Sequence, residues 1–322
     1  MGPARRVKFR FGIGRRRWGL PRRRPQFGRR ALAAAALQEN PAPLINARET
    51  GSRRHYAWPV LAAHSSFEVR IAESDHEIKA AQRLRYRVFY EEMSAIPTVH
   101  MRWKRRDFDK FDEFCDHMLV VDKSACDETG EPAVVGTYRL LRGEVAARHD
   151  GYYTSSEYDL SPVLKRNGPG TRYLELGRSC VLKSYRAKAI TMQLLWSGIL
   201  VYLDRYAIDV MFGCGSLPGI DPNALKLPLS YLHHFHSAPA AHRISARPEL
   251  YVPMNRMSKD GIDPKAALRK LPPLIKGYIR AGAFIGDGAV IDPQFRTTDV
   301  LIYFLVSHIN DRLRRQLERI GA

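Results

Sequence analysis

The chain has 322 residues, 45% hydrophobic and 26% charged, enough for one large domain or two modest ones and too apolar for disorder throughout. Its formal charge of +19 is concentrated: residues 1–58 hold fourteen Arg, one Lys and two Glu, a net +13, leaving +6 for the other 264. The four Cys form no Cys-x-x-C pair and have no neighbouring His at zinc spacing, which argues for reduced thiols and against disulfides or a structural metal; no apolar run reaches membrane-span length, the best candidate (190–214) being broken by Asp204, Arg205 and Asp209.

Residues 1–58 carry Arg clusters with Pro and Gly and little apolar periodicity, the composition of a disordered extension. Such a segment suits a nucleic-acid arm, an anionic-lipid anchor, a targeting sequence or a dispensable tail. From Phe67 the pattern changes: 67–72 reads as a strand, and Ser74 with an acidic first turn opens a helix over 77–93, with Ala80, Leu84, Val88 and Phe89 at helical spacing. Residues 102–106 form a basic aromatic loop. Residues 107–116 follow, five carboxylates interleaved with three Phe, either an acidic site with apolar walls for an ammonium group or an ordinary charged loop. Strands are expected over 117–122 and 133–141, antiparallel across a turn at 126–131.

The most informative stretch is 172–188. Strict alternation would put Glu175 on one face of a strand and Arg178 on the other, two charges in apolar surroundings that each need a partner or a task. A basic turn, 183–188, leads into an apolar helix over 190–206 and a short buried strand over 209–213, which predicts a parallel crossover and an anion site at the helix N-terminus. A short His-rich helix or turn (225–237) matches no standard metal spacing. Residues 264–280 alternate apolar and basic positions, suiting either a membrane-facing surface or an ordinary helix pair. A buried strand (299–306) and a charged helix (309–320) close the chain.

Leu84-Arg-Tyr-Arg-Val-Phe-Tyr-Glu-Glu-Met, the acidic 109–116 cluster, Val134-Val-Gly-Thr-Tyr-Arg-Leu-Leu and Leu174-Glu-Leu-Gly-Arg-Ser-Cys-Val together resemble the acyl-carrier-protein-dependent branch of the GNAT acyltransferases, which includes acyl-homoserine-lactone synthases. Phe212-Gly-Cys-Gly-Ser-Leu-Pro-Gly, Leu232-His-His, Pro273-Leu-Ile-Lys-Gly-Tyr and the glycine-rich 282–292 segment are similar to the bacterial L-ornithine N-alpha-acyltransferases. The resemblance covers about 67–304 and leaves the Arg-rich segment without a role. It implies an α/β GNAT-like fold over 59–322, with a mixed central sheet and C-terminal additions that shape an acyl tunnel.

The implied reaction moves a 3-hydroxyacyl chain from acyl carrier protein to the α-amine of L-ornithine, with the donor a substrate and no cofactor bound. The protein is then expected in the cytoplasm, in peripheral contact with the inner membrane and with no nucleic-acid partner. Glu175 is the expected base. Asp109, Asp112 and Asp116 are expected to hold the amine and side chain of ornithine, Arg87 or Arg139 its carboxylate, and Arg178 to pair with the acidic cluster. The likeness places the oxyanion donors on backbone N–H groups over 180–182 (Cys180, Val181, Leu182). Coenzyme-A users have a Gly-containing loop next; here it lacks glycine and offers Arg186 and Lys188, which fits the single phosphate and acidic surface of a carrier protein. Rival readings are acylation of another amino acid, a lactone-forming synthase using S-adenosylmethionine, and a membrane- or nucleic-acid-binding protein on a degenerate acyltransferase scaffold.

Overall fold

The computed structural model describes residues 60–309 together with 314, 315, 317 and 319. The extension 1–58, and with it the expectation of disorder there, lies outside the described residues, as does much of the helix expected over 309–320.

Among the described residues ten strands form the frame: β1 (Ala62–His64), β2 (Phe67–Ile71), β3 (Asp116–Cys126), β4 (Pro132–Arg142), β5 (Tyr158–Asp159), β6 (Tyr173–Val181), β7 (Val210–Pro218), β8 (Ser245–Ala246), β9 (Phe284–Asp292) and β10 (Thr297–Leu305). Their spatial order is β1-β2-β3-β4-β6-β7-β10-β9-β8-β5. Neighbours are antiparallel except at β6/β7 and β8/β9, so the sheet is mixed. The central strands are covered on both faces, which is why they read as apolar runs: Met118, Leu119, Val120 and Val121 of β3 are all at most 1% exposed.

Helix α1 (Asp75–Tyr86) begins where Ser74 Oγ accepts the Glu77 amide at 3.3 Å. It packs against β3, β4 and β6 on one face of the sheet, while α2 (Ala189–Arg205), the crossover between the parallel strands β6 and β7, packs against β1 to β4 on the other. Helix α3 (Pro264–Lys270) packs against the helix Lys226–His236 and α4 (Pro273–Ala281) against β7, with Tyr278 Oη bridging to Tyr138 Oη of β4 at 2.8 Å.

Three stretches depart from expectation. The helix expected over 77–93 ends its α-helical part at Tyr86 and finishes as a π-helical turn, Arg87–Glu92. Residues Val99–Lys104, which overlap the loop expected over 102–106, form a six-residue helix capped by Thr98, too short to reveal an apolar period. β9 was not among the expected strands; its Gly286 lies against the Leu301 side chain and the Ile244 carbonyl, where a Cβ would come within 2.9 Å of either.

Candidate active site

The parallel strands β6 and β7 pair at Tyr173 with Val210, Leu174 with Met211 and Glu175 with Phe212, and there the pairing stops, although β6 runs on to Val181 and β7 to Pro218. At the parting point the β7 backbone lies so close to β6 that a Cβ on Gly213 would fall 2.2 Å from the Leu176 carbonyl oxygen. The gap between the diverging strands opens into a cavity of about 550 Å³, within the range of small-molecule sites. Its walls include Glu175 and Arg178 of β6, Cys214 and Ser216 of β7, Asp299 of β10, and Leu271 and Tyr278 from the α3–α4 region.

A bulge in β6 sets the chemistry of this wall. Against β4, Thr137 pairs with Cys180 and Arg139 with Gly177, so β6 spends one residue more than its partner. Arg178 absorbs the extra residue with a left-handed φ of 50°. The alternation expected from the sequence therefore breaks: Arg178 lies on the same side as Glu175, not on the opposite face. Its guanidinium sits between the rings of Tyr153 (4.7 Å) and Phe295 (4.9 Å).

Arg178 belongs to a charge-balanced network of three arginines and three aspartates. Arg85, fully buried, donates to Asp112 through Nη1 (2.9 Å) and Nη2 (2.7 Å) and places Nε 2.8 Å from Asp107. Arg178 reaches Asp109 at 3.0 Å and Asp107 at 3.4 Å, and Arg139 reaches Asp109 at 2.6 Å and Asp112 at 3.4 Å. Burial works to raise the Asp112 pKa, and Arg85 more than reverses this, holding it well below the usual carboxylate range.

This geometry corrects several expectations. Asp109 and Asp112 are already balanced by arginine, which leaves them poor holders of a second cation. Asp116 faces away, accepting from Tyr202 Oη of α2 at 2.6 Å with Arg142 beside it at 3.6 Å. Arg87 is exposed and outside the cavity wall, whereas Arg85, two residues earlier and not singled out from the sequence, is the buried partner; Asp107 was passed over in the same way. The expected pairing of Arg178 with the acidic cluster matches its contacts, and Arg139 does line the cavity.

Glu175 projects into the cavity and is held from behind. Its Oε1 accepts the Thr154 amide at 2.6 Å and its Oε2 the Tyr153 amide at 3.0 Å, which ties the turn Tyr153–Ser156 to β6. Each oxygen keeps further acceptor capacity. Burial raises its pKa against the lowering effect of those hydrogen bonds, the direction wanted in a base.

A second acidic group, unnoticed in the sequence, meets the cavity through Cys214 and Asp299. Glu157, Cys214 and Asp299 bring a carboxylate oxygen, the thiol and a second carboxylate oxygen within 4.8 Å of one another. Cys214 Sγ donates to Glu157 at 3.3 Å, and Thr297 Oγ1 donates to Asp299 at 2.8 Å. Burial and the neighbouring Asp299 push Glu157 up to about 7, and burial pushes Asp299 up to about 6. No arginine is within ion-pair distance of either carboxylate among the described residues, in contrast to the directly paired aspartates of the network, although the charge of Arg178 works to lower both. Three donors could meet a metal ion, but the thiol is protonated as it stands and donates to one carboxylate, so the group reads as acids sharing protons. The helix Lys226–His236 contains the histidines, of which His234 bonds the Met257 carbonyl and His236 the Tyr231 hydroxyl.

At the far end of β6, Leu182 donates its amide to Val135 of β4 at 2.9 Å and so turns it away from the gap. Amides alternate along a strand, so Val181 points its N–H the other way, toward the side β7 has left; its carbonyl, on that same side, accepts from Arg186 Nε at 2.9 Å. Cys180, Val181 and Arg186 line the cavity; Leu182 and Lys188 do not. The Lys188 ammonium sits 4.4 Å from the Tyr185 ring centroid instead.

A mixed sheet that splays between two parallel strands, covered by helices on both faces, defines a GNAT-type acyltransferase fold, and residues 84–197 match the family model described as Acetyltransferase (GNAT) domain. The chain is 50% identical over 253 residues to an L-ornithine N(alpha)-acyltransferase of Rhizobium meliloti (strain 1021), covering 79% of this chain and 84% of that protein. It is 48% identical over 253 residues to the protein of the same name from Brucella abortus (strain 2308), covering 79% and 89%. Among solved structures, an N-acyl amino acid synthase from uncultured soil microbes superposes with a TM-score of 0.43 at 12% identity, covering 79% of this chain and 97% of that one. The chain belongs to the L-ornithine N(alpha)-acyltransferase family.

Proposed function

We propose that the protein transfers a 3-hydroxyacyl chain from acyl carrier protein to the α-amine of L-ornithine. The observation that carries the acceptor is the pair of acidic elements at one cavity: Glu175 on β6, and Asp299 on β10 with Glu157 close beside it, neither of the latter two ion-paired to arginine among the described residues. A diamino acid needs both, one carboxylate for the amine that reacts and another anionic wall for the ammonium that does not. Arg139, positioned by Asp109, takes the α-carboxylate.

Glu175 accepts a proton from the α-ammonium directly or through water, and the neutral nitrogen attacks the thioester carbonyl. The tetrahedral oxyanion faces the Val181 N–H. Collapse breaks the C–S bond, forms the amide, and releases the carrier thiol with the proton lost from nitrogen. The apolar walls from Leu271 and Tyr278 suit the acyl chain. A loop without glycine, bearing Lys183, Arg186 and Lys188 at the start of a 17-residue helix, suits the single phosphate of a carrier arm. The donor is a substrate, no cofactor takes part, and the single-chain lipid product puts the enzyme in peripheral contact with the inner membrane from the cytoplasmic side.

Incubation with 3-hydroxyacyl carrier protein and a panel of amino acids, followed by lipid mass spectrometry, tests the reading. N-acyl-ornithine should dominate, and Asp299→Asn should erode the preference for ornithine over its uncharged analogue norvaline. Equal use of both by the unaltered protein would rule out the acidic wall as the selector.

A further inference from the structure

Ten large hydrophobic residues are exposed among the described ones, and four of them, Met93, Ile96, Val99 and Trp103, fall within eleven consecutive positions. Single exposed apolar side chains are ordinary, but a cluster marks a contact surface. Val99 is 86% exposed and Trp103 79%. They stand four residues apart on the helix Val99–Lys104, hence side by side on one face, while Met101 turns inward beside Tyr90.

The exposure is built in. Thr98 Oγ1 caps the helix by accepting the Met101 amide at 3.2 Å, Ile96 N donates to the Gln294 carbonyl at 2.7 Å, and Ala95 N to the Phe89 carbonyl at 2.9 Å. A segment tied at three points and still presenting a tryptophan to water is shaped for a partner. Its charge has one sign: residues 93–106 contain Arg102, Lys104, Arg105 and Arg106 and no acid. Arg105 pairs outside the segment with Glu91. The patch also adjoins the cavity, since Met93 and Ala95 line it.

We propose that residues 93–106 dock the protein on an anionic phospholipid surface, with Val99 and Trp103 entering the boundary between headgroups and acyl chains and the basic side chains meeting the phosphates. Tryptophan and arginine side by side are what that boundary takes up. Because Met93 and Ala95 belong to both surfaces, docking sets one side of the cavity against the bilayer, where an acylated product can leave without crossing water. The proposal rests on the acyltransferase reading for the product, but its binding step does not need it.

The test uses the full chain with phosphatidylglycerol vesicles whose acyl chains carry bromine near the headgroup. Bromolipid should quench part of the tryptophan emission, and Trp103→Phe should remove that part; identical quenching in both proteins would overturn the proposal, because Trp18, Trp58 or Trp196 would then account for it. The double variant Val99→Ser/Trp103→Ser should partition at least tenfold less onto these vesicles and keep its turnover with a soluble acyl carrier protein when no vesicle is present. If partitioning is unchanged, or if soluble turnover falls because the KM for the carrier rises, the segment is not a lipid-docking surface and in the second case serves the carrier. Absent turnover in the unaltered protein would count against the acyltransferase reading alone, since quenching is read without it.

Discussion

Glu175 meets two demands that a substitution can separate. Replacing it with Gln puts an NH2 group where one of its oxygens accepts the Tyr153 or Thr154 amide, leaving a buried donor facing a donor at a cost of about 1–3 kcal/mol. It also removes the base, worth roughly 10²–10⁴-fold in rate. Glu175→Gln should thus lower kcat at least ~10²-fold while the protein still folds with a modestly lower Tm, as read by thiol release and thermal melting; turnover within about tenfold of the original would leave Glu175 only a strut for the 153–156 turn. The second acidic group makes a prediction in pH. Glu157 at about 7 and Asp299 at about 6 lie above their unfolded values near ~4. A raised acid contributes stability that is full below the unfolded value and is lost as pH rises through the folded one, so the loss from both develops from about pH 4 and is complete above about pH 7. Glu157→Gln should raise stability at pH 8 by an amount on the order of 2 kcal/mol and leave it unchanged at pH 4, measured by denaturant melts. The same carboxylates must be ionised to hold an ammonium, so the KM for ornithine should fall between pH 5.5 and 7.5, and this dependence should flatten in the Glu157 variant. A pH-independent KM would detach the wall from the acceptor.

At the level of elements, the cavity exists because β6 and β7 part after three paired residues, and the tightest contact at that fork is between Gly213 and the Leu176 carbonyl. Any side chain there must push one strand away. Gly213→Ala should cost about 1–3 kcal/mol and reduce turnover, because the displacement falls at Glu175 and Phe212, the last pair before the gap; Gly215→Ala, where the nearest atoms belong to the flexible Ile302 side chain at 3.0 Å, should do less. Thermal melts and kcat of both variants check this. The fork also shows what the sequence could disclose. Period-two and period-3.6 patterns were enough for β2, β3, β4, β6, α1, α2 and the parallel crossover. The bulge at Arg178 was not legible, since nothing in Leu-Gly-Arg-Ser-Cys announces an extra residue; only the register against β4 shows it. Without the bulge the two charges of β6 fall on opposite faces and the site comes apart.

The limits of legibility at the scale of the whole molecule have the same origin. Motif likeness drew attention to carboxylates close together in sequence, Asp109, Asp112 and Asp116, whereas Asp299 of the cavity wall and its neighbour Glu157 are 142 positions apart and meet only through folding. Net charge was legible by contrast, and it supports a separation of roles. Every described residue in the cavity wall lies between Val88 and Phe304, a span whose ends are both outside the segment holding +13 of the +19 formal charge. Removing residues 1–58 should therefore leave transfer from a soluble carrier within about twofold of the original, while weakening attachment to anionic vesicles at low salt, since each basic residue near such a surface contributes up to about 1 kcal/mol. The loss should shrink as salt rises, because exposed charges are screened beyond ~8 Å at physiological ionic strength. Quenching at Trp103 should survive the truncation at lipid concentrations high enough to saturate binding, which separates a general electrostatic tether from a docked face beside the active site. Loss of transfer in a truncated chain that still folds would instead place part of the activity in the Arg-rich segment and favour a binding protein on an acyltransferase scaffold.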